Sequence, residues 1–302
     1  MNTFLRNQGQ HLLKNEYYAF FVATILALTS LTTWLALTVI TLITLRNGGV
    51  KSFKVFMGGI IATYISYQFN IALEHTLSIT LITFVLGYSA AVLLRATANW
   101  KIVVFCILIA AILGISLIHQ FLPNYAEEQY TLLLGAVKEV DSNHTMAQIL
   151  ENQYRANPSL IINSLLGIKV LSLVFSALTS LMLAREIQSL LFYPGGFRKE
   201  MLAFRANRIG VLLLIIAAFG VYQNNPVAIS CLPLLVVYLM LAGISLFFNI
   251  MARKRDLVTI FLLFVPLIIV PYIMLPVYVF FGSLDSLIDL RLRLSLDQKF
   301  KN

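Results

Sequence analysis

An all-α, polytopic integral membrane bundle is the fold class this chain predicts. Three observations carry that reading. Eight apolar blocks, at roughly 19–45, 55–73, 77–94, 102–122, 159–184, 209–222, 227–250 and 257–281, are separated by short charged connectors. Several run for about 18 residues or more without a charge, enough for a helix to cross ~30 Å of hydrocarbon. The chain is 59% hydrophobic and 12% charged, whereas soluble domains are about 45–50% apolar and about 25% charged. The longest hydrophilic stretch, 123–158, is too short for a large soluble domain. One integral membrane domain over 1–302 is therefore expected, with 123–158 as an extracytoplasmic loop and 185–208 as a basic cytoplasmic connector.

The connectors give the orientation. Arg46, Lys51 and Lys54 follow the first block, and Arg95 and Lys101 flank the third connector. Arg185, Arg198, Lys199, Arg205 and Arg208 fill the fifth, and Arg253, Lys254 and Arg255 form the seventh. The alternate connectors are acidic or uncharged, and 123–158 carries Glu127, Glu128, Glu139, Asp141 and Glu151. Basic residues gather in cytoplasmic loops, which accounts for the formal charge of +9 without invoking nucleic acid. No cleavable leader is expected, because the first block is longer than an h-region of about 7–15 residues.

Eight single spans would put both termini outside, although the tails carry Arg6, Lys14, Arg291, Arg293, Lys299 and Lys301. Two arrangements follow. Either all eight blocks are single spans, or the first and last are broken. The first block has a threonine-rich middle, Thr29–Thr33, and the last carries Pro266, Pro271 and Pro276. Proline removes a helix donor and clashes with the preceding turn, so a final helix restarting at Pro271 and running through Leu290 would return the tail to the cytoplasm.

Two short surface helices are expected in the 123–158 loop. Asn124–Glu127 and Thr145–Gln148 fit the capping-box pattern, and Leu132, Leu133, Ala136, Val137 and Val140 suggest one apolar face. The pair reads as a lid on the bundle or a substrate gate. Asn143-His144-Thr145 is formally a glycosylation sequon.

Catalytic signatures are missing: there is no GxSxG, HExxH, GxxxxGK[ST] or CxxC. Cys106 and Cys231 lie inside apolar blocks, and His11, His75, His119 and His144 are scattered. No enzyme activity, metal or cofactor is expected. Lys169 is the clearest charge within a block, and intramembrane charge marks function or snorkels to the interface. A ligand cavity for a small apolar or aromatic solute is a candidate role for Tyr64, Tyr67, Gln68, Asn70, Asn163 and Lys169, since ligand sites are apolar with a few placed polar groups.

Two strings stand out. In Arg185–Glu200 a helix ends at Pro194-Gly195-Gly196 and a new one starts at Phe197. Its free N–H groups beside Arg198 and Lys199 would suit an anion or lipid phosphate. Arg185, Gln188, Gly195, Gly196, Phe197, Arg198 and Lys199 are the candidate partner or lipid contacts. In Gly282–Arg293, Asp285 and Asp289 are one turn apart, as are Asp289 and Arg293. Asp285, Asp289, Arg291 and Arg293 are candidate ion-pair residues, within the helix or against Arg185 or Arg198.

The Arg185…Gln188…Tyr193-Pro194-Gly195-Gly196-Phe197-Arg198 run, the Asp285…Asp289…Arg291 run and the Arg46-Asn47-Gly48-Gly49 turn resemble the YybS-like family of uncharacterised bacterial multi-pass membrane proteins. The chain is also distantly similar to the substrate-capturing subunits of energy-coupling-factor transporters, with Ala23-xxx-Ala27 resembling their small-residue partner contact. The resemblance implies a bacterial cytoplasmic (inner) membrane protein and transfers no activity. Two functions are expected from different classes. One is a transport-related subunit that binds a small solute of unknown identity. The other is a structural or assembly partner that docks another membrane protein or anionic lipid through basic cytoplasmic turns. The bilayer itself is the one partner common to both.

Overall fold

The computed structural model describes residues 2–68, 74–140, 145–251 and 269–292. Among these, every regular element is helical and there is no strand. The described α-helices run α1 (Asn2–Lys14), α2 (Glu16–Ala27), α3 (Thr33–Asn47), α4 (Gly49–Gln68), α5 (Glu74–Thr97), α6 (Trp100–Phe121), α7 (Tyr125–Val140), α8 (Thr145–Ala156), α9 (Pro158–Phe192), α10 (Gly196–Ala203), α11 (Arg208–Tyr222), α12 (Pro226–Met251) and α13 (Pro271–Ile288). They form two compact units, Met1–Ile107 with Ser172–Met201, and Leu108–Leu171 with Leu202–Asn302.

Five described helices are long and apolar enough to cross a membrane: most of α5, α6, α9, α12 and α13. A sixth span arises if α10 and α11, bent by 50°, are counted together. Among the described residues the eight-block count is not confirmed. The first block divides into α2 and α3, both short. The block at 55–73 is described only to Gln68, and the block at 209–222 forms the 15-residue α11. The first half of the last block, with Pro266, and the basic Arg253–Arg255 connector lie outside the described residues.

The break in the first block falls at the threonines. Thr29 leaves the helical region at φ −114°, ψ 132°, and Ser30–Thr32 form one 3₁₀ turn. Freed carbonyls are answered locally: Thr32 Oγ1 donates to Leu26 O at 2.6 Å, and Ser66 Oγ donates to Leu28 O. Broken helices persist in membranes when such partners re-satisfy the backbone. α3 beyond the break is buried all round from Ala36 to Leu45, as an all-apolar core helix is. Its hydroxyls at Thr38, Thr41 and Thr44 bond back to Trp34, Leu37 and Ile40 at 2.7–2.9 Å. The alanines of α2, Ala19, Ala23 and Ala27, are also buried, and α2 packs against α3 and α4. The Ala23-xxx-Ala27 pair is thus engaged inside this unit instead of being presented to a partner.

In the second unit α12 and α13 touch backbone to backbone. A Cβ on Gly243 would strike the Tyr278 carbonyl, and one on Gly282 would strike the Leu239 carbonyl. Small residues permit this approach. The final helix does restart at Pro271.

The two loop helices form as expected, and α7 packs through one row of residues. Ala126 and Tyr130 are buried against Ile162 and Leu166 of α9, with Leu134 beside them. Leu132, Leu133 and Val140, read from spacing as part of one apolar face, are exposed. The true contact stripe, 126–130–134, is a strict i, i+4 row that starts on an alanine and a tyrosine. Tyr130 stacks on Tyr154 of α8 at 4.4 Å, and Lys138 bridges Glu151 at 2.8 Å.

Candidate functional site

The first unit gathers its basic connectors at one end. Gly48, at φ +93°, turns α3 into α4, and the Arg95 guanidinium lies against it and donates to Thr44 O at 3.4 Å. Arg46 sits over the Phe192 ring, 4.2 Å from its centroid. Trp100, at the start of α6, packs edge-on against Phe197 at 6.1 Å and donates from Nε1 to Glu200 at 2.8 Å. Connectors that are distant in sequence therefore share one end, as a common membrane face requires.

The turn between α9 and α10 is built on Gly195 and Ser189. Gly195 adopts φ +80°, a left-handed conformation that side chains with a Cβ resist. Gly196 has ordinary geometry, and a Cβ there would meet only normal contacts. Ser189 Oγ donates to Tyr193 O at 2.9 Å and accepts from the Phe197 N–H at 3.1 Å. One N–H expected to be free for an anion is capped from within.

Arg185 and Glu200 close the turn. Arg185 Nε donates to Glu200 Oε2 at 3.0 Å and Nη2 to Oε1 at 2.5 Å, while Nη1 donates to Gln188 at 2.7 Å. This is the bidentate geometry that makes arginine–carboxylate pairs strong. Burial alone would raise the Glu200 carboxyl pKa; the hydrogen bonds from Arg185 and Trp100 and the arginine charge outweigh it and hold it below the usual value. α10 lies outside the five long apolar helices.

Around this pair opens a pocket of about 390 Å³, lined by Arg46, Arg185, Gln188, Ser189, Phe192, Tyr193, Gly196, Phe197 and Glu200. Arg185, Gln188, Gly196 and Phe197 were singled out from sequence. Arg198 and Lys199 are exposed and do not line the pocket. The second cation is Arg46, which has no carboxylate at ion-pair distance among the described residues. Sequence reasoning missed its approach to Phe192, because nothing local links them. Glu200 had a local signal: a tight turn after Arg185 brings the two helix ends together.

The second unit holds a different cluster. Asp285 and Asp289 each have a cation partner within this unit. Asp285 is fully buried and accepts from Arg291 Nε at 3.0 Å. Asp289 pairs with Arg205. Arg291 also donates to Leu202 O at 2.5 Å and Phe204 O at 2.7 Å, which satisfies carbonyls freed where α10 ends before α11. The i, i+4 pairing of Asp289 with Arg293 lies outside the described residues. Asp289 is left-handed, at φ +58°, so the helix stops there and Arg291 folds back.

The expected ligand cavity is not assembled. The side chains of Tyr67 and Gln68, and all of Asn70, lie outside the described residues. Tyr64 is half exposed on α4 in the first unit. Asn163, in the second, is buried and donates to Ser159 O at 2.6 Å, while its own carbonyl accepts from Ser230 Oγ at 3.0 Å. Ser230 also meets His119 Nε2 at 3.0 Å. Lys169 donates to Gln129 of α7 and lies 5.8 Å from the Tyr125 ring. No family model, curated protein or solved structure matches the chain.

Proposed function

We propose that this is an integral membrane protein that docks an anionic lipid headgroup at the basic end of its first unit. One observation carries the reading: two guanidiniums, Arg46 and Arg185, open into one pocket, and only Arg185 is neutralised by a carboxylate. Phe192 and Tyr193 supply an apolar wall beside the charge. Basic residues near an anionic leaflet are each worth about 1 kcal/mol, and arginine suits phosphate. A solute-capturing, transport-related role has weaker support, because Asn163 and Lys169 are occupied by partners within the protein.

The test compares thermal unfolding in nanodiscs of pure phosphatidylcholine and of phosphatidylcholine with phosphatidylglycerol. A ligand that binds only the native state raises Tm. Phosphatidylglycerol should stabilise the wild type, and Arg46→Gln should lose most of that gain. An equal gain in both proteins would refute the headgroup site.

A further inference from the structure

The α7–α8 hairpin carries more apolar surface than its packing uses. On a helical wheel, Ala126, Tyr130 and Leu134 form the buried stripe of α7. Leu133 and Val140 lie beside that stripe, with Leu132 farther round, and all three are exposed, Val140 at 87%. Glu127, Glu128, Lys138 and Glu139 take the opposite face, all but one of them acidic. In α8, Ala147 is buried, whereas Met146 and Ile149 are exposed.

The level of this hairpin is set by what it touches. α7 starts at Tyr125, directly after α6 ends at Phe121, and α8 ends at Ala156, just before α9 begins at Pro158. Its buried stripe meets Ile162 and Leu166, in the first turns of α9. Gln129 holds the Lys169 ammonium, which at 1.5 Å per residue is about 16 Å from the start of α9. With 35 residues, α9 is about 52 Å long and exceeds the ~30 Å hydrocarbon core. Its first turns thus belong to the boundary layer, where a lysine head finds polar company and where tyrosines such as Tyr125, Tyr130 and Tyr154 are favoured.

We propose that the α7–α8 hairpin lies in the headgroup–acyl boundary, with Leu133, Val140 and Ile149 inserted among lipid chains and the acidic face toward water. An amphipathic helix held in the interface buries its apolar face by about 5–10 Å. The inference rests on the membrane reading above but not on the headgroup site.

Spin labels test it in the full chain with Cys106 and Cys231 replaced by Ala, reconstituted in phosphatidylcholine vesicles. Single cysteines at Leu133, Val140 and Ile149 should give labels more accessible to oxygen than to a water-soluble nickel chelate. Labels at Glu128 and Glu139 should give the reverse. A label at Leu113, exposed on α6, is the control. If Leu113 is oxygen-accessible and the hairpin labels favour the nickel chelate, the hairpin faces water and the inference falls while the membrane reading stands. Hairpin labels shielded from both reagents would mean a second copy or another protein covers them, which also overturns it. If Leu113 itself favours the chelate, the membrane reading fails as well.

Discussion

Two helix breaks in this chain are each held by an arginine–carboxylate pair, and they are built in opposite ways. At the α9–α10 turn, the Arg185 and Glu200 side chains are each 27% exposed, and a pocket with a second guanidinium opens beside them. At the α10–α11 junction, the Arg291 side chain is 11% exposed and Asp285 is fully buried. There the remaining guanidinium donors go to the backbone carbonyls of Leu202 and Phe204 and to Ser245 Oγ. The chemistry of the pair is the same. Where the guanidinium's other nitrogens find partners inside the protein, the pair is a lock, even though Asp285 Oδ1 itself is left without a partner among the described residues. Where a second cation is left over, as at Arg46, the pair stands beside the headgroup site proposed above.

The sharpest way to break this comparison is Arg291→Ala. It leaves a buried carboxylate alone, a change that costs about 3–5 kcal/mol, and it orphans two carbonyls. Thermal unfolding in detergent should show the protein barely folded; a loss under about 1 kcal/mol would mean the junction is held by something else. Glu200→Gln comes next. Arg185 keeps Gln188 and sits nearer to water, so a loss of about 1–3 kcal/mol is expected, well short of the Arg291 effect. Equal losses at both sites would erase the distinction.

A smaller effect is the dependence on pH. The folded Glu200 carboxyl titrates below its ordinary 4.5. Its contribution is therefore present above that value and lost as pH falls through the lowered one. As the pH falls below 4.5, Glu200→Gln should flatten part of the wild-type decline in Tm; parallel curves would show that other carboxylates dominate. The smallest expected effect is on stability at Arg46 and Arg198. Arg46→Gln and Arg198→Ala should each stay within about 0.5 kcal/mol in neutral detergent, with only Arg46→Gln altering the response to phosphatidylglycerol. A large intrinsic loss for Arg46→Gln would make its pocket position structural.

Local chemistry was legible in the sequence, and long-range pairing was not. The threonine break, the Pro271 restart and the turn at Gly195 depend on residues within a few positions of one another. Their backbone rules act at that range. Arg205 lies 84 residues from Asp289, and Trp100 lies 100 from Glu200; no periodicity connects such partners. Asp285 shows the intermediate case. Its one-turn spacing from Asp289 suggests a continuing helix, but the left-handed Asp289 ends it and brings Arg291 back from six residues away. The contact row of α7 was not singled out for a related reason. Leucine and valine counted most toward the apolar face, while the residues that pack best against α9 are an alanine, which allows close approach, and a tyrosine, which stacks.

The glycine contact between α12 and α13 bears on the order of assembly. Helices emerge from the ribosome in sequence, so α13 is made after α10, α11 and α12 have left. Until it arrives, the Gly243 groove is open, and Leu202 and Phe204 have no guanidinium to receive. Once it docks, backbone meets backbone, with no side chain to yield on either side. The pair then moves as a single beam. Maturation of the second unit should therefore be abrupt, with α13 completing two sites in one step: the groove at Gly243 and the junction that Arg291 ties.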